Sequence, residues 1–226
     1  MILNQETMIG LSKIEKALYW MIPPISGAVL GWFLPVIAEW VLTIPIVPFK
    51  GPLEFITSLN SFWVSVIAAV IGIIAGLFFS QYIFNEILKV FISDQNVRLL
   101  FKEKEEIIEK KDISTVYLEN KDLVILGDSG NELYREQIES KKALVESAFK
   151  NHGYKWAEED PFKNQYERWV ADHPDFPSHI NTLLLARERA MLENKHEEAK
   201  ILRKDLAKLG VVIQDESKRQ YVRMVS

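Results

Sequence analysis

The sequence predicts a membrane α-hairpin followed by an α+β soluble region. Three observations carry this. No charged residue lies between Lys16 and Glu39, and none between Glu54 and Glu86. Charges are dense from Glu86 to the end. Beyond Glu86 the apolar period is first two and later helical, the mark of strands followed by helices.

A chain of 226 residues allows one large domain or two small ones. The first 83 residues carry four acids (Glu6, Glu15, Glu39, Glu54) and three bases (Lys13, Lys16, Lys50), which leaves 27 of the 31 acids and 24 of the 27 bases for the remainder. A soluble part so nearly balanced is not a generally polybasic nucleic-acid binder. Cysteine is absent, which excludes thiol catalysis, thiolate zinc sites and disulfide redox chemistry, and fits a cytosolic location.

A spanning helix needs about 20 mostly apolar residues. Two segments of residues 1–85 qualify, about 17–40 and 61–84. The first holds Pro23, Pro24 and Pro35, which lipid tolerates with a kink. It is too long for a secretory signal, and Glu39-Trp40 stands where a small-residue cleavage site would be. Lys13 and Lys16 precede the first span, Lys89 and Arg98 follow the second, and the loop 41–60 holds only Lys50. That bias predicts a multi-pass cell-membrane protein with both termini cytoplasmic. The loop is apolar and proline-rich and is expected to lie along the membrane surface. Trp32 falls deeper than an interface belt. Small residues recur at one-turn spacing, Gly27 and Gly31 in the first span and Ala68, Gly72, Gly76 and Ser80 in the second. Such stripes let backbones approach closely. In an antiparallel hairpin Gly27 meets Gly72 and Gly31 meets Ala68; homodimerisation through the second span is the rival use. No ionisable residue lies mid-membrane, so no proton relay or ion site is implied.

Residues 86–160 read as strands at 87–92, 97–101, 114–118, 123–126 and 132–134, with a turn at Gly127-Asp128-Ser129-Gly130-Asn131 and a helix from Glu139 to Lys150 ended by Gly153. Lys102 to Glu109 alternates charges and reads as a solvated hairpin. Short antiparallel strands capped by one helix give the order of a pleckstrin-homology-like barrel. The stretch KDLVILGDSGNELYREQIESKKALVESAFKNHGYKW resembles the bacterial PH-like domains that follow membrane hairpins. The resemblance implies a module that binds proteins or lipids and is not an enzyme.

Residues 161–226 read as a small helical-hairpin module: a helix over 162–171, one from Pro177 to about Asn194, one over 197–209 closed by Gly210, and a short hairpin of 211–214 with 220–223. LLARERA and EEAKILRKDLAKLGVVIQD resemble the C-terminal domain of cysteinyl-tRNA synthetases, the part of those enzymes that recognises tRNA. Arg219 and Val222 stand where that family carries a glycine and a tryptophan, and the synthetase catalytic signatures are absent. The resemblance implies an RNA or partner face of Arg187, Lys200, Arg203, Lys204 and Lys208. Lys200, Lys204 and Lys208 fall on one helical stripe with Arg203 beside it, and the plainer reading of that stripe is a solvated helix face partly neutralised by Glu197 and Asp205. His173-Pro174-Asp175 spells the tripeptide of chaperone J-domains, but the basic helix that should precede it is missing, so it reads as a proline turn. The four histidines are scattered, and neither a metal nor a cofactor is implied.

The order of hairpin, PH-like domain and synthetase-tail-like module, with the opening LSKIEKALYWMIPPISGAVLGWFLP, resembles the YqeB-like family of bacterial membrane proteins over the full chain. The family implies architecture and not mechanism. Three classes of function remain: a non-catalytic membrane-tethered adaptor for a protein partner, a membrane tether for tRNA or other RNA, and an enzyme of unrecognised type.

Overall fold

The structure, a computed structural model, describes residues 6–44, 50–58, 61–217 and 219–225. Part of the proline-rich loop expected along the membrane surface, residues 45–49 and 59–60, lies outside the described residues. The described residues begin with β1 (Thr7–Ile9), then α1 (Lys13–Trp32), α2 (Leu34–Leu42), α3 (Lys50–Ser58) and α4 (Ser61–Asn85). Strands β2 (Lys89–Ile92), β3 (Asn96–Phe101), β4 (Lys104–Glu109), β5 (Thr115–Glu119), β6 (Asp122–Leu126) and β7 (Glu132–Gln137) follow, capped by α5 (Lys142–Asn151). The remainder is β8 (Glu167–Arg168), α6 (Ser178–Leu192), α7 (His196–Lys208), β9 (Val211–Glu216) and β10 (Arg219–Met224). Two compact units result: residues 10–87 with 101–104, and the rest.

In the helical unit a capping box starts α1, Ser12 accepting from the Glu15 N–H and the Glu15 carboxylate accepting from the Ser12 N–H. The helix runs through Pro23 and Pro24 and stops at Trp32. The axis then turns by 53° into α2. The cause is Pro35, which lacks an N–H and whose ring would meet the carbonyl one turn back. The single span expected over 17–40 is therefore a broken pair. Phe62–Asn85 is by itself long and apolar enough to cross a membrane, and the bent pair reaches that length only when taken together. A Cβ on Gly27 would collide with the backbone of Gly72, one on Gly31 with Ala68, and one on Gly76 with Pro23 and Pro24. The small-residue stripe of α4 is thus turned to α1 of the same chain. At the far end of α4, the Lys102 N–H donates to the Asn85 carbonyl at 3.1 Å, and the Lys102 ammonium pairs with Glu86 at 3.1 Å. The first satisfies a carbonyl at the helix C-terminus, and the second sets a cation near the negative end of its dipole.

Among the described residues the second unit holds three sheets. The first, in order β1-β2-β3-β4, begins with a strand that precedes the helices in sequence: Thr7 pairs with Ile92 and Ile9 with Val90. Three residues are too few for alternation to reveal β1. It is fastened by His152, whose Nε2 lies 2.7 Å from the Thr7 hydroxyl while Nδ1 lies 2.6 Å from Asp94. The second sheet is β5-β6-β7. The two do not close into the expected barrel. β4 buries Ile108 alone, its other side chains stand in solvent, and a short 3-10 turn leads away from it before β5 begins. Val145, Ala148 and Phe149 of α5 are buried, the Phe149 ring packing against Tyr154 and Trp156 at 5.6 and 6.3 Å.

The third sheet, β8-β10-β9, belongs to the C-terminal module. Its core is Trp169, Phe176, Ile180, Leu184, Leu206, Val211, Ile213 and Val222. Residues 162–171, expected to be helical, instead form a 3-10 turn and strand β8, whose Arg168 pairs with Tyr221. The apolar spacing of Phe162, Tyr166, Trp169 and Val170 mimics a helix face. What holds the segment is side-chain bonding, Tyr166 to Asp160 at 2.7 Å and the Trp169 indole to Asn181 at 2.8 Å. Gly130 seats this module on the PH-like strands. Its φ is +79°, a Cβ there would strike the Phe162 ring, and its carbonyl accepts from Arg223 at 2.6 Å.

Candidate functional site

A cleft of about 520 Å³ lies between β7 and α7, lined by Glu132, Tyr134 and Glu136 on one side and by Lys200, Lys204 and Lys208 on the other. All five basic residues singled out in the sequence line it. They do not form a common free face. Arg187 is buried, its guanidinium gripping Asp215 through two bonds of 2.8 and 2.6 Å and donating to Gln220 at 2.7 Å. Gln220 in turn donates to the Leu184 carbonyl. Arg203 pairs with Glu132 at 3.1 Å and Asp215 at 3.3 Å and donates to the Ile213 carbonyl. Lys200 and Lys204 both reach the buried carboxylate of Glu136, at 3.0 and 3.7 Å. Lys208 pairs with Asp205 at 3.0 Å and is well exposed.

Sequence spacing places Lys200, Arg203, Lys204 and Lys208 on one helix, with Arg187 on the helix before it, but gives no sign of their partners. Glu132 and Glu136 come from β7, and that strand also supplies Arg135, which is buried between Glu119 at 2.6 Å and Glu132 at 2.8 Å. No motif marked Arg135. The cue available was an Arg within an alternating strand, where every second side chain turns inward.

Burial should raise the Glu132 and Asp215 carboxyls. The surrounding guanidinium groups, Arg203 and Arg135 for Glu132 and Arg187 and Arg203 for Asp215, hold both below their ordinary 4.5 and 3.8 instead. A depressed carboxyl stabilises the fold fully above its unfolded value, and that contribution is lost as pH falls through the folded value. Asp122, raised by desolvation, acts in the opposite sense. Stability of the second unit is therefore expected to fall below about pH 4.5. Glu132→Gln should lower the plateau at neutral pH and flatten the acid limb. Urea titrations at pH 3.5, 5 and 7 read this directly, and an acid limb unchanged in the variant would refute it.

Elsewhere the fold brings Glu167 across to His173 and Asp175. One nitrogen and two oxygen donors lie within 4.8 Å of one another there, a set able to hold a divalent cation. The sequence hides it because Glu167 reaches the pair from β8.

Three comparisons bear on identity. A family model described as a YqeB-like bacterial PH domain matches residues 7–157, a stretch that starts at β1 and takes in the helices between it and β2. A model described as the cysteinyl-tRNA ligase anticodon-binding domain matches residues 173–223. The uncharacterised protein YqeB of Bacillus subtilis (strain 168) is 39% identical over 225 residues, covering 99% of this chain and 94% of the relative. No solved structure matches. With two thirds of its length matched by the family model and nearly all of it by this relative, the chain belongs to the YqeB-like family of bacterial PH-domain proteins.

Proposed function

We propose that this is a non-catalytic binding protein, held in the cell membrane by the α1–α4 hairpin with both termini cytoplasmic, whose soluble modules engage a protein partner. The observation that carries the membrane part is the distribution of side chains on two packed helices. Glycines face inward, while Leu30, Val70, Ile71 and Phe78 are each at least half exposed. An apolar surface of that extent in water is an interaction site, and on a helix pair of this length lipid fits it. Support for the topology comes from β1 and β2. They flank the helices in sequence and pair with each other, as expected when both ends of a hairpin return to one side. Lys13, Lys16, Lys89 and Arg98 agree in sign with that side being cytoplasmic. The non-catalytic reading draws on the cleft, where cations and carboxylates neutralise one another.

A tether for tRNA or other RNA is the second reading, favoured by the match of residues 173–223 to an anticodon-binding domain. The test is crosslinking in intact cells, followed by an alkaline carbonate wash of the membranes and identification of attached protein and RNA together. Release of the chain by carbonate sinks the hairpin. Specific proteins without RNA support the adaptor. RNA whose recovery falls in Lys204→Gln/Lys208→Gln, two exposed positions, supports the tether and overturns the adaptor.

A further inference from the structure

The register of α1 against α4 fixes where each helix meets the bilayer. Gly27 faces Gly72, Gly31 faces Ala68, and Pro23 faces Gly76. The offset is the same at all three, so one residue forward on α1 is one residue back on α4. By that register Lys16 lies level with Ile83, and Pro35 lies level with Val64. Lys16 is the last charge before the uncharged run, so the inner edge of the hydrocarbon is near its level. About 20 residues along α4 at 1.5 Å each span the roughly 30 Å of hydrocarbon, which puts the outer edge near Trp63 and Val64. That is the level of Pro35, where the chain has already turned away by 53°.

So α2 does not complete a span; it begins where the hydrocarbon ends. Pro35 and Ala38 on its inner side are buried. Its outer side nonetheless carries Val36, Ile37 and Trp40, which are 60%, 41% and 67% exposed. A helix that is apolar on the face turned from its neighbours belongs against lipid. Trp prefers the headgroup level, where its ring is in an apolar setting and its N–H is wet. Climbing obliquely from Pro35, Trp40 stands about 5 Å above the hydrocarbon edge. Trp32, three residues below Pro35, lies on the hydrocarbon side of that edge, its ring 6.2 Å from Phe62, which in turn touches Trp63 at 5.8 Å.

We propose that α2 is an interfacial foot: it lies in the outer headgroup layer, contacts lipid through Val36, Ile37 and Trp40, and sets the depth and tilt of the hairpin. The inference rests on the membrane reading and adds the surface and its occupant, the outer lipid face.

The chain has no cysteine, so a single introduced thiol labels cleanly. Nitroxides at Ile37→Cys, Trp40→Cys and, as a mid-helix reference, Ile71→Cys are read by power saturation with oxygen and a nickel chelate. The full chain is used, in phosphatidylcholine/phosphatidylglycerol vesicles. Oxygen-rich and nickel-poor signals are expected at 71, and intermediate values of both at 37 and 40. Values at 37 and 40 equal to those at 71 would mean a straight span and overturn the foot. Protection from both reagents would mean a protein neighbour in place of lipid, and full nickel access would mean water; either also overturns it. A reference at 71 without the oxygen-rich signature would sink the hairpin itself, so the two failures are told apart. Two labelled positions guard against one substitution disturbing the fold.

Discussion

Arg135→Ala is expected to cost the second unit about 3–5 kcal/mol, the range for breaking a buried ion pair by removing one partner. Arg135 stands between Glu119, Glu132 and Asp122, at 2.6, 2.8 and 3.6 Å. Its loss leaves Glu132, whose side chain is only 6% exposed, with Arg203 alone. The penalty is mostly that of stranding carboxylates away from water, and not the worth of the bonds themselves. It follows that Arg135→Met/Glu132→Leu should be less damaging than Arg135→Ala, because no charge is then left behind at that pair. Denaturant unfolding of the full chain in detergent, followed by Trp156 and Trp169 fluorescence, measures both. A loss below about 1 kcal/mol for Arg135→Ala would place the residue among ordinary surface pairs.

The strands β5, β6 and β7 and the helices α6 and α7 follow from local periodicity and stop signals, and they lie within a few residues of expectation. Strand β1 does not, because a three-residue strand has no period and its partner lies beyond the whole helical hairpin. β8 does not either, because an apolar spacing compatible with a helix was overridden by the Asp160 and Asn181 hydrogen bonds. Barrel closure failed as an expectation for a related reason. Strand order alone does not say whether edges meet, and the charged outer face of β4 leaves it an edge. At the cleft the cations were visible as a helical stripe, whereas Glu132 and Glu136, which neutralise them, sit more than sixty residues away in sequence. A helical stripe shows where charges point on the helix, but not what stands opposite. The bend at Phe33 was foreshadowed by Pro35.

Gly72→Leu is the sharper test of the α1–α4 register. The glycine's α-hydrogens face the Gly27 backbone, and a Cβ on either would meet a carbonyl, which cannot rotate away as a side chain can. Overpacking that cannot be absorbed by rotamers is expected to cost about 3 kcal/mol or more, at the top of the usual range. The midpoint of denaturation by SDS in mixed micelles should fall accordingly, and the Trp32 and Trp20 emission should change as their contacts with Phe62 and Phe84 open. Ile71→Leu, one residue away on the outward side, should leave the midpoint where it was. The sign is what makes the experiment decisive. Leucine is more apolar than glycine and a better helix former. If apolar character alone held α4 to α1, Gly72→Leu would strengthen the pair. Only close approach of the two backbones makes the same substitution destabilising. An unchanged or raised midpoint would therefore dissolve the α1–α4 register, and the depth assigned to α2 with it.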